Sequence, residues 1–408
     1  MHIPDSFSAE QRETIQNLFE EFRSRFGVTD ADEFGYVRTP GRTEVAGNHT
    51  DHEGGSVIGA AVDRYVHGIF SPADGDLIRI ESLGFGPIDV RLDDLAPRDE
   101  EQGSSAALVR GMAAQFAERG FVPQAFDAVI SSEVPGGSGL SSSAAFELEL
   151  AGAMNALWAK GVLAPEDMAL MAQRVEREWF GKPCGLLDQA SVALGGIQHM
   201  DFSVPGRLDA QELDFDFGKA GYAICLVAVG ADHAALTGEY AAVPAEMQAV
   251  ARELGHERLG DLPESELIEH FSELRERLGD RPMLRALHYY REERLVTERA
   301  QALRAGDMDR FLALTRASGA SSAMYLQNVS VAGAPEQPAM VALALAEELA
   351  GSSAAVRIHG GGFGGTIQVF LPVERAEEFS ANMDALFGEG ACGIYQIDTY
   401  GVRAWRLA

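Results

Sequence analysis

A chain of 408 residues, 46% hydrophobic and 23% charged, is long enough to bury two domain cores and has the composition of an ordinary globular protein. Its formal charge of −29 argues against nucleic acid or an anionic membrane as partner. An anionic ligand must therefore be held by local dipoles and a few arginines, against the field of the whole molecule.

Residues 9–26 place Ile15, Leu18, Phe19 and Phe22 at helical spacing, and Gly27 ends the run. Nothing in the preceding MHIPDSFSAE resembles a basic, apolar leader. A short strand is expected at Tyr36–Arg38, then a loop from Pro40 to Gly55, and a strand from Ser56 to Val62. That loop gathers Arg42, Glu44, Asn48, His49, Asp51 and His52, a cation, carboxylates, an amide and imidazoles. Such a set suits the hydroxyls of a sugar ring, the plain alternative being a solvated loop. No zinc-ligand spacing is present. From Arg64 to Asp94 the chain alternates as strands, turning at Pro72-Ala73-Asp74-Gly75, and a helix follows from Ala106 to Arg119.

The stretch from Glu133 to Leu150 stands between a strand-like run (Phe126, Ala128, Ile130) and a helix with Phe146, Leu150, Met154 and Leu157 on one face. In between lie Pro135, Gly136, Gly137, Ser138, Gly139, Leu140, Ser141, Ser142 and Ser143. Glycines allow close backbone approach, serines cap a helix start, and its free N–H groups favour anions. No G-x-x-x-x-G-K-[ST] occurs, and Asp216-Phe217-Gly218 lacks the other protein-kinase motifs. Pro135 to Ala145 does closely resemble the nucleotide loop of the family containing galactokinase, homoserine kinase, mevalonate kinase and phosphomevalonate kinase. That resemblance implies ATP bound at Pro135–Ser143, with Mg2+ held by Ser143.

Three further stretches share the resemblance. Gly41, Arg42, Gly47, His49, Thr50 and Asp51 keep the galactokinase signature G-R-x-N-L-I-G-E-H-T-D-Y, from which Glu44, Asn48 and His52 depart. After a helix expected from Ala164 to Phe180, Gly181-Lys182-Pro183-Cys184-Gly185-Leu186-Leu187-Asp188-Gln189 resembles G-x-P-C-G-x-M-D-Q. It implies Asp188 as catalytic base, Gly185 at the sugar and, counting back, Glu176 as a second magnesium ligand. His233 to Tyr240 resembles the segment whose tyrosine touches the sugar. Arg357 to Gly365, leading into a strand from Thr366 to Leu371, resembles the motif that closes the site, with Thr366 where cysteine is usual. Gly360, Gly362 and Gly365 also spell G-x-G-x-x-G, but a dinucleotide loop runs into a helix. Between these motifs a strand is expected at Tyr222–Val229 and mostly helix from Met247 to Leu349.

The resemblance covers nearly the whole chain and implies an α+β protein of two domains. The N-terminal one, 1–205, is expected to be like ribosomal protein S5 domain 2, and the C-terminal one, 206–408, ferredoxin-like, with the active site in the cleft. The implied reaction is ATP-dependent phosphorylation of the anomeric hydroxyl of D-galactose, with Arg42 and Asp188 catalytic and Asn48, His49, Asp51, Gly185 and Tyr240 at the sugar. Asn48 opens the alternative of galacturonate, because the usual glutamate would repel a C6 carboxylate. If Asn48 only replaces that glutamate as acceptor, Asn48→Glu keeps galactose activity within about tenfold, roughly one hydrogen bond. A non-catalytic sugar sensor is the other alternative. Lys160, Lys182 and Lys219, the only lysines, read as genome composition. Cys184, Cys225 and Cys392 fit no disulfide framework, and the longest apolar run is too short for a bilayer. A soluble cytoplasmic monomer is expected.

Overall fold

The computed structural model describes all residues except 1, 2, 5, 28–32, 137, 138, 231–236, 332, 364 and 408. Helix α1 (Ala9–Phe26) begins with a capping box between Ser8 and Gln11 and ends at Gly27, whose φ of 75° spares a side chain the left-handed strain. It lays Ile15, Leu18 and Phe22 on Phe34, Tyr36, Ile69 and Val129.

The first sheet comprises β1 (Phe34–Ala46), β2 (Ser56–Pro72), β3 (Leu77–Ser82), β4 (Gly86–Arg91), β5 (Phe126–Ser132), β6 (Ile197–Asp201), β7 (Asp209–Glu212) and, from the far end of the chain, β12 (Arg403–Leu407). Its order is β12-β1-β2-β5-β3-β4, with β6 on β2 and β7 on β6. All its pairs are antiparallel except β3 with β5. Four helices cover one face: α2 (Ser105–Glu118), α3 (Ser142–Trp158), α4 (Pro165–Val175) and α5 (Leu187–Leu194). Met112, Phe116, Leu148, Met154 and Met171 pack there against Val66, Phe70, Ile78, Phe126 and Ile130. Strand periodicity sends Phe126, Ala128 and Ile130 to that face and Val129 to α1.

The second sheet has the order β11-β8-β10-β9, all antiparallel, from β8 (Tyr222–Ala228), β9 (Ala355–Ile358), β10 (Thr366–Pro372) and β11 (Cys392–Tyr395). Between β8 and β9 run α6 (Thr237–Glu253), α7 (Glu264–Glu269), α8 (Phe271–Leu278), α9 (Asp280–Ala305), α10 (Met308–Ser321) and α11 (Pro338–Ala350), and α12 (Ala376–Phe387) joins β10 to β11. One core joins the sheets, with Ile58 and Ile197 from the first and Ile224 and Phe370 from the second around Val296, Leu303 and Phe311.

Two expectations change here. The stretch from Pro40 to Gly55 is not a loop throughout, because β1 continues to Ala46 and leaves only residues 47–55 between strands. The division at residue 205 does not follow the sheets, since β7 and β12 lie beyond it yet pair with β6 and β1.

Candidate active site

Arg42 and Glu44 are two residues apart on β1 and so face the same side. Gly47 (φ 99°) and His49 (φ 64°) then turn the chain into a short 3-10 turn, Thr50–Glu53. The turn is pinned by the Thr50 hydroxyl, which donates to the Ser56 carbonyl at 2.7 Å. The His49 ring lies 5.6 Å from that of His52 and 5.3 Å from that of Tyr240 on α6. Burial lowers the pKa of His49 to about 3 and of His52 to about 4, the latter helped by the charge of Arg177, so both rings are neutral at pH 7. Asp51 is pushed up by burial. A Cβ at Gly185 would collide with the Asp51 carboxylate, so only glycine lets the two segments meet.

The loop before α3 bends at Gly139 (φ 79°) and Ser141 (φ 57°). Its serines do not cap the helix as expected; their hydroxyls reach outward to carboxylates. Ser141 donates to Asp188 Oδ2, and Ser143 to Glu176 Oε1 at 3.3 Å. Among the described residues no side chain caps the first N–H groups of α3, a helix start that favours an anion. Arg42 donates from Nε to Asp188 Oδ1 at 2.6 Å and from Nη1 to the Gly139 carbonyl, so one guanidinium ties the acid to the loop. Burial alone would raise the Asp188 pKa; the charge and hydrogen bond of Arg42, with the Ser141 hydroxyl, outweigh it and bring the pKa down to about 2.

Glu176 is 2% exposed and opens a π-turn, Glu176–Phe180, that extends α4. Its Oε2 accepts from Gln189 at 2.7 Å and its Oε1 from Lys182 Nζ at 2.8 Å. Ser143 and Glu176 are hard oxygen donors on facing elements, few in number. That fits a magnesium ion completed by phosphate oxygens and water.

Residues 359–361, after β9, lie against this assembly. His359 Nε2 accepts from the Glu44 N–H at 3.0 Å, and His49 Nε2 lies 3.0 Å from the Gly361 carbonyl. Gly361 has no room for a Cβ because the Tyr240 ring lies against it. Asn48, expected to face the sugar, is fully buried. Its amide donates to the Gly360 carbonyl at 2.5 Å and to Glu44 Oε1 at 3.3 Å. Its oxygen accepts from Asn328 at 2.6 Å and Ser322 at 3.4 Å, so no capacity is left for a ligand. Glu44 borders the cavity instead, paired with the buried Arg357.

The expectation for Asn48→Glu is therefore replaced. A carboxylate there would confront Glu44 and the Gly360 carbonyl in a buried site, and a loss of about 3 kcal/mol in stability is expected. Urea denaturation measures it, and a variant as stable as the wild type would contradict the assignment.

Two adjoining cavities result. The smaller, about 70 Å³, is bordered by Glu44, His49, Asp51, His52, Cys184, Gly185 and Tyr240. The larger, about 480 Å³, is bordered by Gly139, Ser141, Ser142, Ser143, Pro183, residues 360–363, Gly365 and Thr366. Arg42, Lys182 and Asp188 border both. A further hollow of about 510 Å³ beside Phe215 and Tyr222 contains no comparable constellation. Leu140 is buried behind the loop, its carbonyl accepting from the Arg42 N–H at 3.0 Å, while Pro135 and Gly136 are exposed. Gly137, Ser138 and His233–Leu236 lie outside the described residues. The sequence assigns no role to Lys182 or His359, and marks Glu44 only as one of the polar set and as a departure from the signature. The available signal was that Glu44 and Asn48 exchange the amide and the acid of the signature.

Comparison with known proteins gives consistent results. The family described as GHMP kinases N terminal domain matches residues 103–196, and the galactokinase galactose-binding signature matches residues 20–72. A galactokinase of Streptomyces coelicolor is 32% identical over 359 residues, 86% of this chain and 87% of that protein. One of Glaesserella parasuis is 30% identical over 362 residues, 88% of this chain and 89% of its own length. The crystal structure of Lactococcus lactis galactokinase complexed with galactose superposes with a TM-score of 0.81 at 23% identity, covering 96% of this chain and 99% of that one. A mevalonate kinase structure gives a TM-score of 0.61 at 14% identity, covering 91% and 98%. These two structures bear on the fold.

Proposed function

The chain belongs to the galactokinases, and from that membership we infer that it transfers the γ-phosphoryl group of ATP to D-galactose. The observation that carries the reading is Asp188, held by Arg42 and Ser141 where the two cavities meet.

In this reading the sugar occupies the smaller cavity, among His49, Asp51, Gly185 and Tyr240, with Glu44 in the part expected of Asn48. The nucleotide phosphates lie over Gly139–Ser143 at the start of α3. Asp188 orients the anomeric hydroxyl and accepts its proton. A loose phosphoryl transfer asks chiefly for alignment and charge stabilisation, and Arg42 supplies a fixed positive charge beside the attacking oxygen. Ser143 and Glu176 would hold Mg2+, which when bound neutralises the phosphates. Galactose is favoured over galacturonate because Arg42, the fixed cation bordering the small cavity, is already paired with Asp188. A uronate would there meet the carboxyl groups of Glu44 and Asp51.

The β-α-β-β-α-β connectivity and β11-β8-β10-β9 order support a ferredoxin-like C-terminal domain. We assign the first sheet to the domain like ribosomal protein S5 domain 2, with the active site in the cleft. A cytoplasmic monomer is part of the proposal; three free buried cysteines are in keeping with a reducing compartment, and among the described residues no helix is long and apolar enough to cross a membrane.

The test is ADP formation across a panel of sugars including galactose and galacturonate. Galactose is expected to stimulate it most. If no sugar stimulates ADP formation while galactose still raises the melting temperature, the chain is a sensor and the kinase reading fails.

A further inference from the structure

We propose that Lys182 is a moving cationic arm of the phosphoryl-transfer site. It neutralises Glu176 while no metal is bound, and turns to an oxygen of the transferred phosphoryl group once a divalent cation takes that carboxylate. The proposal rests on the kinase reading above.

The Lys182 ammonium sits 2.8 Å from Glu176 Oε1, the same oxygen that the Ser143 hydroxyl approaches at 3.3 Å. It therefore occupies, as a cation, the Glu176 oxygen to which the other donor assigned to the metal also points. Glu176 stays in place without it, because Gln189 holds the other carboxylate oxygen at 2.7 Å. The pivot is fixed as well, since the Lys182 N–H donates to the Glu176 carbonyl at 3.0 Å. The side chain, by contrast, is 49% exposed against 2% for that of Glu176, and its flexible four-carbon stem borders both cavities. Arg42, the other cation common to the cavities, is fixed by Asp188 and the Gly139 carbonyl. ATP brings several negative charges into a protein of formal charge −29, so a cation that can follow the charge in transit has a large effect.

The test compares wild type with Lys182→Gln, Lys182→Arg and the double variant Lys182→Gln/Glu176→Gln, all as full chains. Mn2+ binding without nucleotide is followed by electron paramagnetic resonance, and kcat and the galactose KM with MgATP by ADP release. Lys182→Gln is expected to bind Mn2+ at least about fivefold tighter, since the competing ammonium is gone, and the double variant to lose that gain. Its kcat is expected to fall about fiftyfold with the galactose KM within about twofold, and Lys182→Arg to recover most of the loss. Unchanged Mn2+ affinity in Lys182→Gln, or a kcat within about twofold of wild type, overturns the proposal. A wild type that phosphorylates no sugar sinks the kinase reading, and Mn2+ binding still decides whether Lys182 competes for Glu176.

Discussion

Asp188→Asn is expected to lower kcat about a thousandfold while galactose affinity stays within about threefold, because the exchange keeps the shape and removes the proton acceptor. Asp188 has no freedom to be replaced by a neighbour. Arg42 holds one of its oxygens at 2.6 Å and Ser141 the other, at the place common to both cavities. Its pKa of about 2 makes it a weak base, which suits a loose transition state in which the hydroxyl becomes acidic only as the new bond to phosphorus forms. Steady-state kinetics with titration calorimetry of galactose separates the two effects. A variant that keeps kcat within about tenfold removes Asp188 from the reaction.

Removing the Arg42 charge is expected to act through Asp188 as well as directly. With Arg42→Met, burial remains and the largest opposing influence is gone, leaving only the Ser141 hydroxyl and the Lys182 charge, so the Asp188 pKa is expected to rise above its ordinary 3.8. In the wild type the folded pKa lies below the unfolded one, so Asp188 contributes stability above about pH 4 that is lost as pH falls towards 2. The acid limb of kcat/KM set by Asp188 is therefore hidden below the range where the wild type is assayed. It is expected to enter that range in Arg42→Met, with kcat about a hundredfold lower. Arg42→Lys keeps the charge and loses the two-pronged hold on Asp188 and Gly139, so it should lose activity without the shift. An Arg42→Met profile that superimposes on the wild type would show that the two residues do not cooperate.

Much of this was legible because local physics dictates it. Helix α1 has its cap, apolar face and glycine stop in consecutive residues, and its limits are those expected from the pattern. The motifs containing Arg42, Ser143, Glu176, Asp188 and Tyr240 lie far apart in sequence, and the fold gathers them at two adjoining cavities. What escaped depends on partners hundreds of residues away. The polar end of β1 looked like a loop because a strand carrying Thr43 and Glu44 needs buried polar partners. Those partners are Gln368, His359 and Arg357, on the second sheet and the loop beside it. The return of β12 to β1 rests on a five-residue strand with no local mark of its destination. Asn48 was misplaced for the same reason, since its saturation depends on Ser322, Asn328 and Gly360.

The central claim is that the two cavities deliver the γ-phosphoryl group to one particular oxygen of one sugar. It is tested most directly by giving the enzyme galactose labelled with carbon-13 at C1, together with MgATP, and reading the product by carbon and phosphorus magnetic resonance. The account predicts a product whose labelled C1 is coupled to phosphorus, formed in step with ADP. Phosphorus on any other hydroxyl, or ADP released with the sugar unchanged, would contradict it.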